Sequence, residues 1–167
     1  MNYFQIDTVR SRIEAAFANV ERPDFRSILT LGCCEDHEED FAWYRQHSWQ
    51  ELVEKIRTDW LDPIKFSSLH PVAYHYFVPG VLLTTLDSVG KNVGWYGFGG
   101  QDWLRNLIPF KDRTEAFRRD YVSCFSEQQI EAVVSQLELF QRAVVEQRGY
   151  LDDDLARAID KVWVTAK

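Results

Sequence analysis

The sequence predicts a mainly α-helical fold, a single domain spanning residues 1–167 with about six or seven helices and at most a minor strand. Three observations carry this. Apolar residues recur at helical spacing nearly everywhere, helix-capping signatures punctuate the chain, and one glycine-rich stretch, residues 90–101 with five glycines, forms the single clear loop. At 167 residues, 46% hydrophobic and 14% aromatic, the chain has enough apolar material for one substantial core. Six Trp, seven Tyr and eleven Phe exceed what a helical domain of this length needs, so some are expected at the surface.

Val9, Ile13, Ala16, Phe17 and Val20 set a first helix, with Asp7 as its expected N-cap and Pro23 ending it. Phe25 to Leu31, rich in branched residues, is the candidate strand. A second helix begins among the acids at 35–40, where carboxylates complement the positive end of the helix dipole. Ser48 and Glu51 form a capping box and open a helix with Trp49, Leu52, Val53, Ile56 and Trp60 on one face, closed by Asp62-Pro63. Ser67 or Ser68 caps the next helix, with Pro71 in its first turn, and Pro79-Gly80 is expected to kink or split it. Asp112 with Glu115 repeats the capping spacing for a short helix through Tyr121. Ser126 with Gln129 repeats it for the longest apolar stripe, Ile130, Val133, Val134, Leu137, Phe140, Val144 and Val145, closed by Gly149. Asp152 to Asp154 load the start of a last helix carrying Leu155, Ile159 and Val162. The expected core includes Ile13, Phe17, Leu52, Ile56, Tyr76, Phe77, Leu82, Ile130, Val134, Leu137 and Ile159.

Charge is distributed very unevenly. Of the net −7, residues 35–62 carry −6: Glu35, Asp36, Glu38, Glu39, Asp40, Glu51, Glu54, Asp59 and Asp62 meet only Arg45, Lys55 and Arg57. A field of that sign attracts basic partners and repels nucleic acid before any contact forms. Farther along, Arg105, Lys111, Arg113, Arg118 and Arg119 outweigh Asp112 and Glu115, a small basic strip that either touches an anion or answers the acidic segment within the fold. Three cysteines, two of them adjacent, make a poor disulfide framework and point to a reducing compartment. With no signal-peptide core and no apolar run of about 20 residues, the expectation is a soluble cytoplasmic protein.

Catalytic and metal signatures are weak. Cys33, Cys34 and His37 are zinc-ligand types, but no second Cys-x-x-Cys or His-x-x-x-His completes a four-ligand set. His70 and His75 are five apart and fall on different helix faces. A nucleophile reading pairs Cys33 or Cys34 with His37, His70 or His75, and it needs a thiolate and an oriented base. No Gly-x-Ser-x-Gly elbow, Walker loop or His-Glu-x-x-His occurs, and the glycines of Gly94 to Gly100 lack dinucleotide-fingerprint spacing. That loop instead lets Trp95 and Tyr96 swing onto a neighbouring surface, their own core or a partner's. Tyr74, His75 and Tyr76, beside the expected irregular turn at Pro79-Gly80, mark the candidate small pocket.

The stretch Leu69 to Gly80 (LHPVAYHYFVPG) resembles a family of small uncharacterised bacterial proteins whose helix motif runs approximately phe-leu-x-pro-x-ala-phe-x-tyr-tyr-leu-pro-ala-tyr, here Tyr74 to Gly80. Ile13 to Phe17, Glu39 to Phe41, Trp49 at a helix start, and Phe125-Ser126 with Gln129 also agree, while Gly80 and Val81 stand where the family shows Ala and Tyr. The resemblance implies a compact helical domain of a bacterial accessory protein, a class in which immunity and antitoxin roles are common.

The functional expectation is a non-enzymatic acidic binding protein without cofactor or metal. It neutralises a basic protein partner, such as a nuclease-type toxin, as an immunity protein does. Glu35, Asp36, Glu38, Glu39 and Asp40 make the steering contacts; Trp43, Tyr44 and Trp49, with Trp95 and Tyr96, are the aromatic anchors. The rivals are a regulatory module of unknown partner and a small hydrolase using the cysteines or histidines.

Overall fold

Two long helices set the architecture, and the others are packed around them. The computed structural model describes residues 3–24, 38–58, 66, 68–90 and 104–164. Among these residues there are seven α-helices and no strand: α1 (Tyr3–Phe17), α2 (Glu38–Gln46), α3 (Trp49–Thr58), α4 (Pro71–Gly90), α5 (Thr114–Asp120), α6 (Glu127–Arg148) and α7 (Asp153–Arg157). The mainly helical expectation therefore holds. The candidate strand at Phe25 to Leu31 lies outside the described residues.

Helix α4 is buried on almost its whole circumference, from Ala73 to Leu83 apart from half-buried His75, and again at Thr85 and Leu86. Helix α6 is enclosed along its middle, with Glu131, Glu138, Arg142 and Val145 as an exposed stripe and Glu127, Gln128, Glu146 and Gln147 exposed at its ends. Gln136 stitches the two together: its Nε2 donates to the Leu82 carbonyl at 2.7 Å and to Thr85 Oγ1 at 2.5 Å. Helix α1 packs against both. Arg12 Nη1 donates to Ser135 Oγ, Gln129 Nε2 donates to the Ala16 carbonyl at 3.3 Å, and Arg10 pairs with Asp87 at 2.5 Å.

The caps follow the sequence closely in two places. At α6, Ser126 Oγ accepts from Gln129 N while Gln129 Oε1 accepts from Ser126 N, and Gly149 ends the helix at φ 75°, the left-handed conformation that glycine adopts without strain. At α3, Ser48 and Glu51 make the same reciprocal pair. Asp152 caps α7, accepting from Asp154 N and Leu155 N.

Four boundary expectations are corrected. Asp7 lies inside α1, which starts at Tyr3, and the helix ends at Phe17, well before Pro23. Helix α4 begins directly at Pro71 with His70 before it, where His70 Nδ1 accepts from Val72 N at 3.5 Å; Ser68 is therefore not the cap, and Ser67 lies outside the described residues. Asp112 does not cap α5, because a tight turn over Lys111–Arg113 precedes it and no side-chain cap bond forms. Pro79-Gly80 does not split α4, which runs unbroken across it. The proline removes one helical hydrogen bond, a cost of roughly 3 kcal/mol. Burying Phe77, Val78, Val81 and Leu82 completely, at roughly 1.5–3 kcal/mol each, outweighs that loss.

Of the expected core, Ile13, Phe17, Leu52, Tyr76, Phe77, Leu82, Ile130 and Leu137 are buried, and Val134 and Ile159 pack against the core half-buried. The Ile56 side chain lies outside the described part. Among the described residues, most of the aromatic side chains are internal. Tyr74 is the hub, with Phe66 at 4.9 Å, Tyr121 at 5.0 Å, Phe117 at 5.8 Å and Phe125 at 6.4 Å between ring centroids. Its hydroxyl donates to the Asn106 carbonyl at 2.7 Å, and burial pushes its ionisation well above the usual tyrosine range. After α7 the chain widens into a π turn over Ala158–Val162, closed by Trp163 N donating to the Ala158 carbonyl at 2.9 Å. That turn delivers Trp163 into the same cluster, against Phe125 at 5.1 Å and Phe117 at 6.0 Å.

Candidate functional site

The acidic segment begins α2. Glu38, Glu39 and Asp40 occupy its first three positions, where backbone N–H groups have no helical acceptor and negative charge is favoured. The opposite end is basic. Arg45 lies in the last turn, Arg22 Nη2 donates to the Arg45 carbonyl at 2.8 Å, and His47 Nδ1 donates to the Trp43 carbonyl at 2.8 Å. Helix α2 thus carries charge of each sign where its dipole stabilises it. At the α3 cap, the Ser48 backbone and hydroxyl donors hold the Glu51 carboxyl below its ordinary range, so Glu51 stays ionised at the exposed edge of the segment. Glu35 and Asp36 lie outside the described residues, as do Trp95 and Tyr96 and the glycine loop around them.

The aromatic anchors divide sharply. Trp43 is half-buried, its ring stacked on His47 at 4.4 Å and 3° and edge-on to Tyr44 at 5.5 Å. Tyr44 is fully buried, packed on Phe77 at 5.0 Å and Phe66 at 6.5 Å, and Trp49 is 9% exposed under the α3–α4 contact. Tyr44 and Trp49 are therefore core residues rather than surface anchors, because their faces of α2 and α3 are the ones that pack. The signal was present in the sequence: Phe41 and Tyr44, like Trp49 and Leu52, stand three apart, the spacing of one helix face.

His75 is half-buried against aromatic rings. Its ring meets Phe125 edge-on at 4.6 Å and Phe17 at 6.2 Å, and Nε2 lies 3.0 Å from Gln129 Oε1. That oxygen also accepts from Ser126 N, so Nε2 carries the proton and the histidine is a satisfied structural donor. Tyr76 is buried, and its hydroxyl bonds the Trp49 backbone. His70 serves the α4 start, so the two histidines do not converge. Cys33, Cys34 and His37 lie outside the described part. Burial pushes the Cys124 thiol up, away from thiolate character. Among the described residues no group of three or more His, Cys, Asp or Glu side chains is placed to hold a metal ion, and no helix is long and apolar enough to cross a membrane.

Burial depresses the His75 pKa below its ordinary 6.5, with the Gln129 bond opposing in part. The unfolded chain then takes up this proton at a higher pH than the folded one. The stability His75 contributes is full above 6.5 and falls as pH drops through that value. His75→Gln is expected to lose less thermal stability than wild type between about pH 7.5 and about pH 5.5. Equal losses in matched thermal melts would remove His75 from the account.

Among the described residues, no ion pair joins the basic strip to the acidic segment. Arg119 clasps its neighbour Asp120 at 2.7 and 3.0 Å, and Arg105, Lys111, Arg113 and Arg118 form none among the described residues. No family model, curated protein or solved structure matches this chain.

Proposed function

We propose that this chain is a non-enzymatic acidic protein that binds and neutralises a basic protein partner, as the immunity protein of a bacterial toxin does. The observation that carries the reading is the concentration of −6 of the net −7 within residues 35–62. Two features support it. Glu51 is held ionised, and Trp43 keeps part of an aromatic surface beside the acidic start of α2. An inhibitor of a nuclease-type toxin presents carboxylates to a site built for phosphate, and steering of this kind raises association rates by roughly 10–1,000-fold at low salt. Glu38, Glu39 and Asp40 make the first contacts, and Trp43 is the anchor. His70 and His75, engaged in a helix start and a Gln129 bond, lend the rival hydrolase reading no support.

The test is a pull-down from the source cell followed by association kinetics with the captured partner. Reversing Glu38, Glu39 and Asp40 to Lys is expected to slow association by at least about tenfold at low salt and to flatten its salt dependence. The neutral Gln, Gln, Asn variant controls for the helix-dipole cost of lysines at that end. An acidic partner, or an unchanged rate with unchanged salt dependence, overturns the proposal.

A further inference from the structure

The largest exposed apolar side chains are not scattered. Phe110 is 79% exposed, Leu151 64% and Tyr150 50%, three of the five exposed large hydrophobics among the described residues. One buried arginine ties together the two segments that bear them. Arg157, whose side chain is 13% exposed, donates from Nη2 to the Pro109 carbonyl at 2.7 Å and to Asp154 Oδ1 at 3.1 Å, and from Nη1 to Thr114 Oγ1 at 3.1 Å. Pro109 directly precedes Phe110, and Asp154 lies one turn from Leu151, so the 109–114 turn and the start of α7 present a single surface. It is also rigid. Trp163 Nε1 donates to the Leu107 carbonyl at 2.7 Å directly behind it, and Asp152 fixes the first turn of α7. A prearranged apolar patch loses little entropy when it is covered.

The rim decides what covers it. Exposed Lys111 and Arg113, with exposed Asp112 between them, follow Phe110 and leave that turn net positive, while exposed Asp153 and Asp154 lie just beyond Leu151. Lys111 and Arg113 form no ion pair among the described residues. An anionic membrane or a nucleic acid would meet the aspartates with like charge, and a uniformly basic protein would meet Lys111 and Arg113 the same way. A two-fold operation matches both signs at once, because it sets the bases of one protomer against the acids of its partner. We propose that this surface is a self-association interface, on which a second copy of the chain covers Phe110, Tyr150 and Leu151 while Lys111 and Arg113 face Asp153 across the two-fold axis. It lies on different elements from the acidic segment, so it leaves the binding role proposed above untouched. A patch this small gives a weak, concentration-dependent dimer.

Sedimentation equilibrium of the full chain, from low micromolar to submillimolar concentration, is expected to show a monomer–dimer equilibrium. Phe110→Asp and Leu151→Asp should each weaken it by at least about tenfold with the thermal midpoint little changed, since both side chains are exposed. The decisive measurement uses charge. Lys111→Glu with Arg113→Glu in one variant, and Asp153→Lys in another, should each dimerise poorly alone, while an equimolar mixture regains a mixed dimer. A wild-type chain that stays monomeric over the whole range overturns the proposal. So does a dimer indifferent to Phe110→Asp and Leu151→Asp, or a mixture that fails to recover. Binding to phosphatidylserine vesicles that is lost in Phe110→Asp, without any dimer, would assign the patch to a lipid surface instead.

Discussion

Replacing Trp163 with alanine is expected to destabilise the protein by about 3–5 kcal/mol, a large part of the roughly 5–15 kcal/mol that holds a typical domain folded. The indole is fully buried, its edge-on neighbours are Phe117 and Phe125, and its N–H donates to the Leu107 carbonyl. Truncation opens a cavity the size of an indole in the middle of the aromatic cluster and leaves that carbonyl unpaired. Trp163→Phe separates the two contributions. It fills most of the volume but loses the donor, and is expected to cost about 1–3 kcal/mol. Urea denaturation measures both. A loss below about 1 kcal/mol for the alanine variant would mean that Trp163 is not packed as described.

Gly80→Ala gives the second large effect, and its sign is the informative part. Alanine in a helix interior is favoured over glycine by roughly 1 kcal/mol, so propensity alone predicts a stabilised protein. At Gly80 a Cβ would stand 2.7 Å from the Trp49 carbonyl oxygen and 3.0 Å from Leu52 Cδ2. The first of these is backbone at the start of α3 and cannot rotate away. Helices α3 and α4 must separate, an overpacking cost of about 1–3 kcal/mol that outweighs the propensity gain. The expected result is a lower urea midpoint, with Gly80→Val lower still. A raised midpoint for Gly80→Ala would show that the two helices do not approach this closely.

Local signals in the sequence were legible and distant ones were not. Ser48 with Glu51, Ser126 with Gln129, and Gly149 could be assigned because each is a short-range bond between residues at a fixed spacing. Asp7 and Asp112 have acceptable cap chemistry, yet packing sets the helix starts elsewhere. Pro79-Gly80 reads locally as a breaker. What overrides it is the burial of α4 on nearly all sides, together with the demand of α3 for a residue without a side chain at position 80. The pairing of His75 with Gln129, 54 residues apart, has no local trace. The acidic segment was legible as charge, but which of its aromatics face outward depended on the partners of α2 and α3. Tyr44 and Trp49 face inward for that reason, and Trp43 packs against the core with part of its ring exposed.

The joining of α1 to α6 has a kinetic consequence. Arg12 meets Ser135 across 123 residues, and Gln129 meets Ala16 across 113. The entropy of closing a loop grows only with the logarithm of its length. The penalty therefore falls on speed more than on equilibrium, since contacts distant in sequence slow the search for the native topology. Helices α3 and α4, near neighbours in the chain, can associate early. The α1–α6 contact, which joins the residues most distant in sequence among these bonds, is therefore expected to form after the α3–α4 contact.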